Sequence, residues 1–507
     1  MTLTRTIVLG ILALLAINCK VSTTTKKETK KYEPNFQSLS THKAAPEWFA
    51  DAKLGMYFHW GPYSVPAYGS AWYPSNMYMK GSDVNKFHEK NFGPIEAFGY
   101  EDFIPMFTGQ HFDPEDWADL FKTTGAKFAG PVAEHHDGFA MWDSDANPWN
   151  AADMGPKRDI TGELFKSLRK RSIKTIATFH HARNGQRNAN NPELWGKNGY
   201  NSHYPYHPDL PTSTTDPKLR KLFGNFNTID EFNQYWLEQV NEVVNKYSPD
   251  IIWYDSWLNL IPEDYRNKMV ANYFNNGLKN NQEVVICRKQ DDLPLDYSIV
   301  DIEQGGRRDI DLQPWMTDIT IGESRWMYVE GHKYKEADVV IRNMIDVWSK
   351  NGIVLLNVSP RADGVINDEQ RAILKKIGDW LNIHGEAVYG TRPHTIFGYG
   401  PTSAGEGLHG SQSSTVNYTG EDIRFTVSKD KKAMYVFFLG LPKSGKRFDM
   451  RPIGGYHRNI PPSPIKNVTL LGSDVKVEWK LTTETFYLTM PNEGMNEVAN
   501  VFKFELE

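Results

Sequence analysis

Cysteine is nearly absent from this 507-residue chain: there are two, and only Cys287 lies in its body. A disulfide framework within the chain is therefore excluded. Long apolar runs are missing too. The one sizeable run, residues 7–17, is 11 residues long, too short to span a bilayer as a helix. With a formal net charge of -5 there is no basic excess of the kind nucleic-acid binding uses, so nucleic acid is not an expected partner. No GxGxxG or Walker-type loop follows any strand-like run, which removes support for nucleotide chemistry. No repeat of short fixed period occurs. What is abundant is aromatic: 15 Trp and 24 Tyr within a total of 13%. Such rings fill large cores, and they also line sugar-binding clefts, where the C–H faces of a pyranose pack against them. Hydrophobic content of 40% beside 23% charge reads as soluble and globular, and the length implies two folded domains.

The N-terminus predicts the compartment. Arg5 precedes the apolar run, which ends at Leu15-Ala16-Ile17-Asn18-Cys19. This resembles a bacterial lipobox, in which Cys19 is lipidated after cleavage of a signal peptide over 1–18. An ordinary signal peptide with an incidental cysteine is the alternative. Residues 19–41 read as a polar tether. The expectation is a secreted protein, periplasmic or an outer-membrane lipoprotein, touching a membrane only through that anchor.

Eight β-branched and aromatic runs follow, at 53–60, 128–136, 174–181, 250–257, 283–288, 298–303, 318–328 and 352–360. Between them lie helical patterns at 114–124, with Asp113 as N-cap, and at 161–171, 230–247, 335–350 and 368–384. Eight alternations predict an α/β fold with a parallel sheet, either closed or open. The polar residues decide between these. The runs end in His59; Glu134, His135 and His136; His180 and His181; Asp255; Arg288; and Glu303. Polar groups at the carboxyl ends of many strands are the mark of a (β/α)8-like barrel. Helical periodicity stops after Arg392, where short alternating runs between turns predict a C-terminal β-sandwich. The expected domains are 42–392 and 393–507. The Asn-, Pro- and Tyr-rich insertion 185–227 follows the third strand on the active-site face and is expected to shape specificity.

Two carboxylates across a cleft suffice to hydrolyse a glycosidic bond. Asp255, set in Trp253-Tyr254-Asp255-Ser256-Trp257, is the first candidate; helix capping is its bland alternative. Glu303 is the second, against the reading of a surface loop. The five histidines fit either a zinc site or neutral rings that hydrogen-bond sugar hydroxyls. In a continuing strand His135 and His136 would face opposite sides, which disfavours the metal.

At this point the residues become familiar. Glu47-Trp48-Phe49-Ala50-Asp51-Ala52-Lys53-Leu54-Gly55-Met56-Tyr57-Phe58-His59-Trp60-Gly61 resembles the opening signature of family 29 glycoside hydrolases, the α-L-fucosidases. Ala133-Glu134-His135-His136-Asp137-Gly138-Phe139, Ile252-Trp253-Tyr254-Asp255 and Gly385-Glu386-Ala387-Val388-Tyr389-Gly390 are similar to further family motifs. The resemblance runs over about residues 42–393. It implies a barrel followed by a β-sandwich, Asp255 as nucleophile, and His59, Trp72, His135, His136 and Arg288 around the fucose. His180 joins them at a strand end where other members often differ. Trp253 and Trp326 are expected to line an apolar notch for the fucose C6 methyl. Glu303 is the expected acid/base, inferred from position, with Glu323 as rival. Two departures stand out: Ala71-Trp72-Tyr73 replaces the common Glu-Trp-Tyr, and Trp315-Met316 replaces Trp-Glu.

The expectation is thus a retaining exo-α-L-fucosidase without cofactor or metal, acting on fucosylated glycans or fucan-derived oligosaccharides. The alternatives are a glycosidase for sulfated fucans or α-galactosides, a zinc hydrolase, and an inactive surface protein that binds fucan. Arg307 and Arg308 read as solvated loop charges, with a substrate sulfate as the other possibility.

Overall fold

A computed structural model describes residues 31–197, 199, 202–405, 416–453 and 464–507. The expected signal peptide, Cys19 and the first part of the tether lie outside the described residues. Packing against the body is present well before the expected start near His42. The backbone of Tyr32 exchanges hydrogen bonds of 2.8 and 2.9 Å with the Asn275 side chain, and its ring meets Phe274 edge-on.

Eight parallel strands form the first sheet: β1 (Leu54–Phe58), β2 (Phe128–Glu134), β3 (Lys174–Phe179), β4 (Ile251–Tyr254), β5 (Val285–Arg288), β6 (Ile299–Val300), β7 (Trp315–Thr320) and β8 (Gly352–Val358). Their order is β6-β5-β4-β3-β2-β1-β8-β7, and a parallel bridge from Asp301 to Met316 brings the two ends together. The result is the expected (β/α)8-like barrel. Tyr57, Val132, Ile176, Trp253, Cys287, Met316 and Leu355 fill its interior, as side chains rather than a pore. The outer helices start where the sequence supplies caps. Asp113 accepts the backbone N–H groups of Glu115 and Asp116 ahead of Pro114–Thr124, and Thr228 accepts that of Glu231 ahead of Ile229–Tyr247. The first ends at Gly125, whose φ of 100° suits glycine.

One strand differs from its prediction. β7 was expected over 318–328 and occupies Trp315–Thr320. Trp315, Met316 and Thr317 are buried, whereas the Thr320 hydroxyl accepts the Gly322 N–H at 3.1 Å and turns the chain out of the sheet.

Past the barrel, antiparallel sheets of five and three strands share a core including Phe425, Phe438, Leu488 and Phe502. Three of their strands escaped the sequence reading: Thr391–Tyr399, Arg447–Met450 and Asn500–Leu506. The first is an edge strand containing Pro393 and Gly398, residues that mask a strand pattern. A buried ion pair at 2.6 Å, Arg424 to Asp346, ties this part to the barrel helix Ala337–Ser349.

Candidate active site

The carboxyl ends of the strands enclose a cavity of about 120 Å³ lined by His59, Ala71, Trp72, His135, His136, His180, Arg183, Asp255, Trp257, Lys289, Glu303, Asp318 and Trp326, with Ser70. Each expected side chain arrives there through a simple device. β1 ends at Phe58, and His59 donates its backbone N–H to the Val358 carbonyl of β8. Its ring Nδ1 lies 2.8 Å from Asn357 Oδ1. The Asn357 amide donates to the Trp326 carbonyl, so its oxygen faces the histidine; Nδ1 then carries the proton and Nε2 is left as acceptor. β2 stops at Glu134, which releases His135 and His136 from strand alternation, so both line the cavity. The Asp255 N–H donates to Phe179 at the end of β3, at 3.0 Å.

Asp255 is held from two sides. One carboxylate oxygen lies 3.3 Å from His136 Nε2 and 3.4 Å from His180 Nδ1; the other lies 3.1 Å from Lys289 Nζ. Burial alone would raise its pKa, but the Lys289 ammonium, together with the imidazoles, holds it well below the usual carboxylate range. Asp255 is therefore ionised throughout the working range.

Lys289 is the residue that sequence reasoning missed. Fully buried, it contacts Glu303 at 2.7 Å and Asp318 at 3.2 Å besides Asp255. Burial opposes its charge, yet the surrounding carboxylates keep it protonated far above neutral pH. Below it, Tyr57 donates to Asp318 at 2.9 Å. Neighbouring Asp301 is driven well above the ordinary carboxylate range by burial and by Asp318 beside it. The signal was legible in β5. Val285 and Cys287 face the barrel interior, so position 289 continues that face and 288 does not. Arg288, expected beside the substrate, is accordingly not among the residues that line this cavity. It turns to the Gln290 carbonyl and to Asp291, and lines a neighbouring groove.

Trp253 also differs from expectation. It lies one layer below the lining, with the His180 ring 5.2 Å away and Lys289 Nζ 4.8 Å from its centroid. Two residues before Asp255 on the same face of β4, it sits deeper in the barrel. Trp326 does line the cavity, beside His59, and supplies the apolar wall. Glu323 is exposed and does not line the cavity. Ala71 lines it where the resembled family often carries Glu. The insertion contributes behind this surface: His203 stacks on His136 with centroids 4.8 Å apart.

His59, His135 and His180 bring ring nitrogens within 4.8 Å of one another, as do the ligand atoms of His136, His180 and Asp255. Burial, with His180 adding to it, lowers His59 to about 3, and burial lowers His136 to about 4 and His135 well below its usual value. Neutral rings of this kind offer each sugar hydroxyl a donor or an acceptor.

The same burial sets a pH dependence of stability. His59, His135, His136, His181 and His203 are all depressed by burial, so unfolding takes up protons below about pH 6.5, at a cost of roughly 1.4 kcal/mol per pH unit for each group. Burial raises Glu134, Asp137, Asp292 and Asp301, which gain folded-state protons as pH falls. That gain ends near pH 4, where unfolded carboxyls are protonated too. Thermal unfolding should show a nearly level Tm between pH 7 and about 4.5, then a fall of about 5 °C by pH 3.5. A Tm still rising at pH 3.5 would mean that the histidines are protonated in the fold.

Comparison with known proteins follows the geometry. A family model described as Alpha-L-fucosidase matches residues 19–386. The tissue alpha-L-fucosidase of Rattus norvegicus is 31% identical over 375 residues, covering 72% of this chain and 74% of its own. That of Homo sapiens is 27% identical over 508 residues, covering 98% and 96%. The crystal structure of Thermotoga maritima alpha-fucosidase in complex with fucose superposes with a TM-score of 0.72 at 26% identity, over 94% of this chain and 100% of that one.

Proposed function

The chain belongs to the α-L-fucosidase family of glycoside hydrolases, and on that premise we propose that it is a retaining exo-enzyme with Asp255 as nucleophile and Glu303 as acid/base. The observation that carries this reading is the shared contact of both carboxylates with Lys289. Through distances of 3.1 and 2.7 Å to one Nζ, their nearer oxygens are no more than about 6 Å apart, compatible with the roughly 5–5.5 Å spacing of the carboxyl groups in retaining pairs.

The chemistry follows from charge. Asp255 attacks the anomeric carbon of a terminal α-L-fucoside while Glu303 protonates the departing oxygen. Asp255 loses its charge in the ester as Glu303 gains one by giving up its proton. Glu303 then draws a proton from water, which releases fucose with its configuration retained. The neutral histidines hold hydroxyls, and Trp326 meets the C6 methyl.

A panel of aryl glycosides tests the reading. Aryl α-L-fucoside should be turned over faster than aryl α-L-galactoside, which differs from it only by a hydroxyl on C6, by about tenfold or more, since one apolar group is worth about 1–3 kcal/mol. Equal rates would remove the dedicated fucosidase, and no turnover of either would favour a binding protein. Export and anchoring through Cys19 complete the proposal: Cys19→Ser should move the protein from the membrane fraction to the soluble one, and an unchanged distribution would reject the anchor.

A further inference from the structure

Beside the catalytic cavity runs a second, larger groove of about 630 Å³. The two share Trp257 and Lys289 and so lie side by side. The groove is lined by both apolar and polar side chains. Leu295, 47% exposed, and Trp257 are among the first, and Asn259, Arg288, Gln290 and Arg307 among the second. That pairing suits a sugar, whose C–H faces need apolar contact and whose hydroxyls need hydrogen bonds.

Trp257 itself is held in an unusual state. Its φ is +79°, a region that a bulky side chain rarely adopts. The position is fixed by the Gln290 side chain, which accepts the Trp257 N–H at 3.0 Å, and by the Arg183 guanidinium, 5.3 Å from the ring centroid. Arg183 also covers Trp72 at 4.4 Å, tying the Trp257 ring to the fucose cavity. Backbone strain kept by surrounding contacts at the rim of a site points to a positioned side chain.

We infer that this groove is the leaving-group subsite of the enzyme, and that it takes a neutral glycan whose first sugar stacks on Trp257. This rests on the fucosidase reading above. Charge argues for a neutral occupant. Arg288 is paired with Asp291 at 3.0 Å, Arg307 with Asp311 at 3.2 Å, and Lys289 with three carboxylates. Each cation lining the groove already has its anion, so a sulfate would have to displace one.

Two substrates separate the subsite from the chemistry. α-L-Fucosyl fluoride has a single-atom leaving group and nothing to stack; a neutral fucosylated oligosaccharide fills the groove. Trp257→Ala should lower kcat/KM for the oligosaccharide, relative to that for the fluoride, by about tenfold or more, because binding energy from the remote sugar is spent on the transition state. Trp257→Phe should restore most of that ratio. Leu295→Asp, at an exposed position, should lower the ratio in the same direction without risk to folding. Equal losses on both substrates, or an unchanged ratio in all three variants, would overturn the subsite. A sulfated oligosaccharide preferred over its neutral counterpart at low salt would overturn the assignment to neutral glycans. A wild-type enzyme that leaves the fluoride intact would instead overturn the fucosidase reading.

Discussion

Asp255→Gly should abolish turnover of every fucoside, lowering kcat by at least about a thousandfold, in a protein that still folds. The loss is chemical because the ester forms on Asp255, the carboxylate that His136 and His180 hold at 3.3 and 3.4 Å. Folding survives because Lys289 keeps Glu303 and Asp318 as partners, so its buried charge is not orphaned. Removing the carboxylate also opens space beneath the anomeric carbon. Azide entering there should attack an activated α-fucosyl donor once, with inversion, and yield β-fucosyl azide. The measurement is the anomeric configuration of the product by NMR, beside a thermal melt of the variant. An α-azide, or residual hydrolysis within tenfold of wild type, would assign the nucleophile elsewhere.

Much of this arrangement could be read from the chain. Asp255, Glu303, His59, His135, His136 and His180 all fall just past β-branched runs, and parallel strands buried on both faces stay apolar until they end. Histidines and carboxylates gathered at those ends pointed to both the barrel and the side on which its chemistry lies. The misplacement of Arg288 comes from alternation across a short strand. β5 spans only Val285–Arg288, and whether 288 or 289 enters the cavity depends on which residues face inward. Arg288 carries the more conspicuous charge, and Lys289 is the one with inward parity. Trp253 failed for a related reason: the right face at the wrong depth. The antiparallel strands Thr391–Tyr399 and Asn500–Leu506 were hidden differently, one by Pro393 and Gly398, the other by lying far from its partners. The second of these runs between 433–438 and 465–470 in space, a neighbourhood that no local pattern announces.

Glu303→Ala should split the two halves of the reaction. With an aryl fucoside whose leaving group departs without a proton, fucosylation of Asp255 should proceed near the wild-type rate. With a sugar leaving group it should fail, by about a hundredfold or more, since that oxygen needs the proton. The ester formed from the aryl substrate should then accumulate, because no base remains to activate water, and a burst of aryl alcohol should precede a slow steady state. Azide requires no base. It should accelerate turnover and give α-fucosyl azide, the product of two successive inversions and the opposite anomer from that of Asp255→Gly. Lys289 makes this variant a fair test. It keeps Asp255 at 3.1 Å and Asp318 at 3.2 Å, so the nucleophile stays charged and aimed when Glu303 is gone. Glu323, exposed and off the cavity, serves as the control: Glu323→Ala should hydrolyse aryl and oligosaccharide substrates alike at wild-type rates. A burst with azide rescue in Glu323→Ala, and neither in Glu303→Ala, would move the acid/base role from the carboxylate on Lys289 to the one outside.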